Sequence, residues 1–85
     1  MMIHHLKTFP AFFEATARHE KLFEIRNNRD RGFQKGDAVI LYEYDQINDR
    51  VTGREIMAKI TYVLNFAQKP DWVVFGISII DNPAN

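Results

Sequence analysis

Lys21-Leu22-Phe23-Glu24-Ile25-Arg26 is the stretch on which the fold turns. Three charged residues are interleaved with three apolar ones, and polar, turn-forming residues follow (Asn27 to Gly32). Alternation at this spacing reads as a β-strand, because successive side chains point to opposite faces. Phe23 and Ile25 then share one face, and Leu22, Glu24 and Arg26 the other. Side chains two apart on one face lie about 7 Å apart at Cα, within reach of long charged groups. With Lys21 at the strand start, Lys21, Glu24 and Arg26 form one polar cluster. A solvated ion-pair face is the commoner use of such a pattern. The sharper use is a cleft in which Arg26 clamps a phosphate, a carboxylate or a base edge through its planar fork.

Outward from this strand, the pattern predicts a mainly β chain with one early helix. Ile3 to Leu6 reads as a short first strand. Pro10 to Arg18 reads as an amphipathic helix, with Thr8 as N-cap, Phe9, Phe12, Phe13 and Ala17 on the buried side and a Glu14–Arg18 pair at i,i+4. Ala38 to Tyr44, Glu55 to Leu64 and Trp72 to Ile80 complete the strands. Asp45 to Gly53 is expected to be a hairpin loop, and Gly36-Asp37 a turn. Ile56, Ala58, Ile60, Tyr62 and Leu64 form one alternating set. Leu41, Ile56, Ile60, Val74 and Ile77 are expected core, and the tail from Asp81 to Asn85 is expected to fray. About five strands on so short a chain bury their apolar faces by curling into a small barrel.

The 85 residues are read as a single domain, 1–85. Eleven basic and eleven acidic residues cancel, so any nucleic-acid binding must come from a local patch. The absence of cysteine excludes disulfides, thiolate metal sites and a cysteine nucleophile. No apolar run approaches a membrane span, and the first residues lack a signal peptide's apolar core, so no membrane association and a cytoplasmic location are expected. No metal site is expected: His4 and His5 are neighbours on a strand and point opposite ways.

Two sets of residues carry a family resemblance. Lys21, Glu24 and Arg26 match a G-x-K-x-x-E-x-R signature, with His19 in place of its Gly. Further matches run in order: His4 to Lys7, Pro10, Phe13, Phe23 to Arg26, Gly36-Asp37, Glu43-Tyr44-Asp45 and Thr52-Gly53-Arg54. On these residues the chain resembles the ASCH branch of the PUA-like superfamily, and within it an uncharacterised bacterial and phage subgroup, a domain of unknown function of the DUF3850 type. The signature Gly implies a turn with positive φ, which His tolerates better than most residues. The Asn27 to Gly32 loop departs from the subgroup's pattern.

The resemblance implies a small PUA-like β-barrel with a cleft floored by the Lys-x-x-Glu-x-Arg strand. It implies an RNA or nucleotide ligand, with Lys21, Glu24, Arg26, Arg29 and Arg54 as candidate binding residues and no cofactor. A single-stranded segment or one nucleotide suits the charge balance better than a long duplex. Tyr42, Tyr44, Phe33 and Trp72 are candidates to stack a base, Trp72 and Phe33 foremost. The alternative implied function is an amidohydrolase acting on N4-acylated cytidine, with Lys21 and Glu24 as candidate catalytic groups. That enzyme group has Thr where this chain has Glu24, and a late Glu in an insertion absent here between Leu64 and Trp72. A protein-interaction module is the third reading.

Overall fold

The computed structural model describes residues 1–82. It contains β1 (Ile3–Thr8), α1 (Pro10–Ala17), β2 (Phe23–Asn27), β3 (Ala38–Asp45), β4 (Arg50–Leu64) and β5 (Trp72–Asp81). All five strands belong to one sheet of order β1-β3-β4-β5-β2. β1 runs parallel to β3, and the other neighbours pair antiparallel. The sheet curls into a half-barrel, so the expected mainly β fold with one short helix is the observed one. β1 and β2 are the two edges.

The meander β3-β4-β5 forms the wall. The β3–β4 turn is tighter than the expected Asp45–Gly53 loop. The Asp45 carboxylate accepts from the main-chain N–H of Ile47 and Asn48 at 3.0 and 3.2 Å, and Asp49 adopts φ 51°. Four residues therefore reverse the chain, and Asp45 already pairs with Arg50. A bulge between Tyr42 and Tyr44 absorbs the mismatch, with Gly53 at φ 97° opposite it.

A second bulge, between Ile60 and Tyr62, corrects the expected alternating set. Ile56, Ala58 and Ile60 are fully buried, but Tyr62 and Leu64 are exposed and Val63 packs on the core instead. One extra residue reverses the faces of everything beyond it. On β5 the inward residues are Val73, Phe75 and Ile77, so Val74 is half-buried rather than core. Asp81 ends β5 and Asn82 donates to the carbonyl of Ala17 at 3.0 Å, which corrects the expected fraying at these two positions. Residues 83–85 lie outside the described residues.

α1 caps the half-barrel through Phe13, Thr16 and Ala17. Thr16 satisfies its buried hydroxyl on the Phe12 carbonyl one turn back, at 3.1 Å. Thr8 is not the N-cap. It ends β1, and Phe9 takes the cap position without a side-chain bond, leaving Pro10 to open the helix. Phe9 and Phe12 are about half exposed rather than core. Beyond Ala17, His19 adopts φ 62°, as the signature Gly implied. That turn lets the N–H groups of Glu20 and Lys21 both donate to the Ala15 carbonyl, at 2.8 and 3.1 Å, and launches β2.

Asp37 ties β1 to the start of β3. Its carboxylate accepts from buried His4 Nε2 at 2.9 Å and from the main-chain N–H of Met2 and Gln34, both at 3.1 Å. The His4 hydrogen bond, helped by the two backbone donors and opposed by burial, holds the Asp37 carboxyl below the usual range. Its stabilising contribution is therefore complete above about pH 4 and lost as pH falls through the lowered native value. Asp37→Asn is expected to cost about 1–3 kcal/mol at pH 7 and to flatten the acid limb of stability, as measured by urea denaturation across pH 2–7. His19→Gly relieves the left-handed backbone and is expected to stabilise by about 0.5–1 kcal/mol in the same assay.

Candidate functional site

β2 presents its faces in an order that hydrophobicity alone would not give. Glu24 is 2% exposed, while Phe23 and Ile25 are 43% and 52% exposed. The charged face of the strand points inward. Burying a carboxylate is costly unless both oxygens are paired. Here Lys21 Nζ donates to Oε2 at 2.5 Å, and Arg26 Nε donates to Oε1 at 2.9 Å. Arg26 Nη2 lies 2.7 Å from the same Oε1. Lys21 also donates to the Phe23 carbonyl at 2.7 Å, and its ammonium lies 5.1 and 5.7 Å from the ring centres of Phe23 and Phe12.

Arg26 then reaches from one sheet edge to the other. Its Nη2 donates to the Lys7 carbonyl on β1 at 2.9 Å and to the Thr8 hydroxyl at 3.3 Å. Arg31 Nη1 donates to the His5 carbonyl at 3.3 Å. The half-barrel is thus joined across its seam by guanidinium groups where a strand ladder would otherwise run. Along the seam opens a cleft of about 740 Å³. Its polar wall carries Lys21, Arg26 and Arg31 against Glu24 and Asp30, while Lys7 contributes its carbonyl and holds its ammonium on the outer face, 4.8 Å from the Tyr44 ring centre. Phe9, Phe12, Phe23, Ile25 and Trp72 line its apolar wall, and Leu6 and Phe33 lie beneath. With Glu24 already neutralised by two cations, the cleft carries net positive charge in a chain whose total is zero.

The structure brings together three of the five residues expected at the site: Lys21, Glu24 and Arg26. Arg29 lies on the far side of Trp72, ion-paired with Asp71 at 2.8 Å, and lines a smaller polar hollow. Arg54 stands away from the cleft, between Glu14 and Glu43 at 2.6 and 3.2 Å and 5.1 Å from the Phe13 ring. Of the expected stacking residues, Trp72 is at the cleft and 37% exposed. Phe33 is core, its ring 4.6 Å from His4 and 4.8 Å from Phe75. Tyr42 bonds His5, and Tyr44 bonds Asp49. Among the described residues, no group of three metal-ligating side chains comes together. Lys7 and Arg31 line the cleft without having been expected at the site, as do Thr8, Phe9 and Phe12, which were expected as helix cap and buried helix face. The available signal was the exposed helix start beside a strand end.

Fold and site define a small curled-sheet protein with a cationic, aromatic-walled seam cleft. Residues 3–77 match a domain of unknown function, DUF3850, and the chain belongs to that family. It is 32% identical over 71 residues, 84% of its length, to an uncharacterized 12.9 kDa protein in the GpA 3′ region of Escherichia phage P2. The chain spans 60% of the length of that relative. No helix among the described residues is long and apolar enough to cross a membrane.

Glu24→Gln leaves Lys21 and Arg26 facing each other without a counter-charge. Because both cations keep some solvent contact, the expected cost is about 2–4 kcal/mol, below that of a fully buried pair. Adding Lys21→Met is expected to recover part of it, as coupling in a double-mutant cycle read by urea denaturation.

Proposed function

We propose that this protein is a small binding module that takes a nucleotide, or a short single-stranded RNA segment, in the seam cleft. The observation that carries the reading is the combination of Lys21, Arg26 and Arg31 with the rings of Phe9, Phe12, Phe23 and Trp72 in one cleft. Cations matched to phosphates and rings matched to bases are what single-strand and nucleotide sites combine. Glu24 is the positioning group, since it fixes both Lys21 and Arg26. The signature residues and the curled sheet support placement in the ASCH branch of the PUA-like superfamily. A cytoplasmic location belongs to the same reading.

A hydrolytic reading is favoured by one observation. Thr8 places a hydroxyl in the same cleft as Lys21 and Glu24, supplying the group missing at position 24. It would act on an acylated amine such as that of N4-acetylcytidine.

Titrating the 15N-labelled protein with nucleotides, N4-acetylcytidine and short single-stranded RNA separates the readings. Amide shifts are expected at Lys21 to Asn27 and Trp72, and Arg26→Glu is expected to abolish them. Appearance of cytidine and acetate would favour hydrolysis. Silence with every nucleic-acid component would reject both and leave a protein partner as the remaining reading.

A further inference from the structure

The register of β2 on β5 determines where its main chain points. Ile77 N–H donates to Leu22 O and Asn28 N–H to Asp71 O, at 3.1 and 2.7 Å. Pairing between these two bonds is unbroken antiparallel, from Phe23 opposite Gly76 to Asn27 opposite Trp72. Hydrogen-bonded pairs alternate in such a ladder, so Leu22, Glu24, Arg26 and Asn28 bond to β5. The N–H and C=O groups of Phe23, Ile25 and Asn27 therefore point away from β5, toward the seam. The Phe23 carbonyl is taken by Lys21. Ile25 offers both a donor and an acceptor, side by side, on the cleft wall.

The opposite edge is used differently. On β1 the carbonyls of His5 and Lys7 accept Arg31 and Arg26. An added peptide strand would find one edge open and the other filled by guanidinium groups. A planar heterocycle needs only one edge.

We propose that the main chain of Ile25 reads the Watson–Crick edge of a single nucleobase, inserted into the seam between β2 and β1. The inference rests on the nucleotide-binding reading and deepens it. Every base presents a neighbouring donor and acceptor on that edge, which complements a peptide N–H and C=O. The rings of Phe12 and Trp72 in the same cleft supply contacts to the base's faces. The ligand class follows: a base whose pairing edge is free, in a nucleotide or a single strand, and never one held in a duplex.

The test uses the whole chain with uridine 5′-monophosphate as probe, beside its neutral analogue methylated on N3, the ring nitrogen of the pairing edge. 5-Methyluridine 5′-monophosphate, methylated off that edge, is the control. Edge methylation is expected to weaken binding by about tenfold, the scale of one lost hydrogen bond with a blocked partner, and the control is expected to bind within about twofold of the parent. Hydrogen exchange supplies a second readout. In the free protein the Ile25 amide is expected to exchange faster than those of Glu24 and Arg26, and to slow when the parent nucleotide binds. Equal binding of the edge-methylated and parent nucleotides overturns the inference while leaving nucleotide binding intact. An Ile25 amide already as protected as its neighbours also overturns it. No binding of any nucleotide overturns both.

Discussion

The buried carboxylate of Glu24 is the constraint on which the rest of the site depends. A charge at this depth is tolerable only because each oxygen has a cation on it. The same contacts fix Lys21 beside the aromatic rings and aim Arg26 across the seam at the Lys7 carbonyl. One desolvated group thus sets the position of two others, and through them the width of the opening between the sheet edges. It also explains the inverted faces of β2. Once Glu24 and Arg26 turn inward, a period of two leaves Phe23 and Ile25 outside.

The strands were legible because β-branched and aromatic runs bounded by polar turns admit few other readings. The polar cluster at Lys21, Glu24 and Arg26 was legible because it is local: its members lie within one strand and its entry turn. The misreadings share one cause, which is tertiary geometry that leaves little mark on single residues. The bulge before Tyr62 reverses a face without changing composition. Thr8 looked like a cap, but its hydroxyl serves Arg26, eighteen residues away in sequence. Arg54 was expected at the site from the Thr52-Gly53-Arg54 match, yet β4 delivers it to Glu14 and Glu43. The Lys7 carbonyl and Arg31 join the site only because the sheet's two ends meet.

The Arg54 cluster and the Asp37 tie each fasten an early element of the chain to the meander. Arg54 links the helix, through Glu14, to the β3–β4 hairpin, through Glu43, whose carboxylate also accepts the Thr52 hydroxyl at 2.7 Å. Asp37 anchors the first strand through His4 and Met2. Together they hold α1 and β1 against the meander, and so hold one wall of the cleft.

The parallel pairing of β1 with β3 has a kinetic consequence. β3, β4 and β5 are joined by short reversals, so their contacts close small loops. β1 meets β3 only after the intervening helix and β2 have been laid down, Ile3 pairing with Ala38. Loop closure of that span costs more entropy than a hairpin, so the first strand docks late, onto a preformed meander. Like β2 at the other edge, it is held by a ladder to one neighbour only. The two segments with the least backbone pairing are then the two walls of the seam, and one of them is also the strand that assembles last.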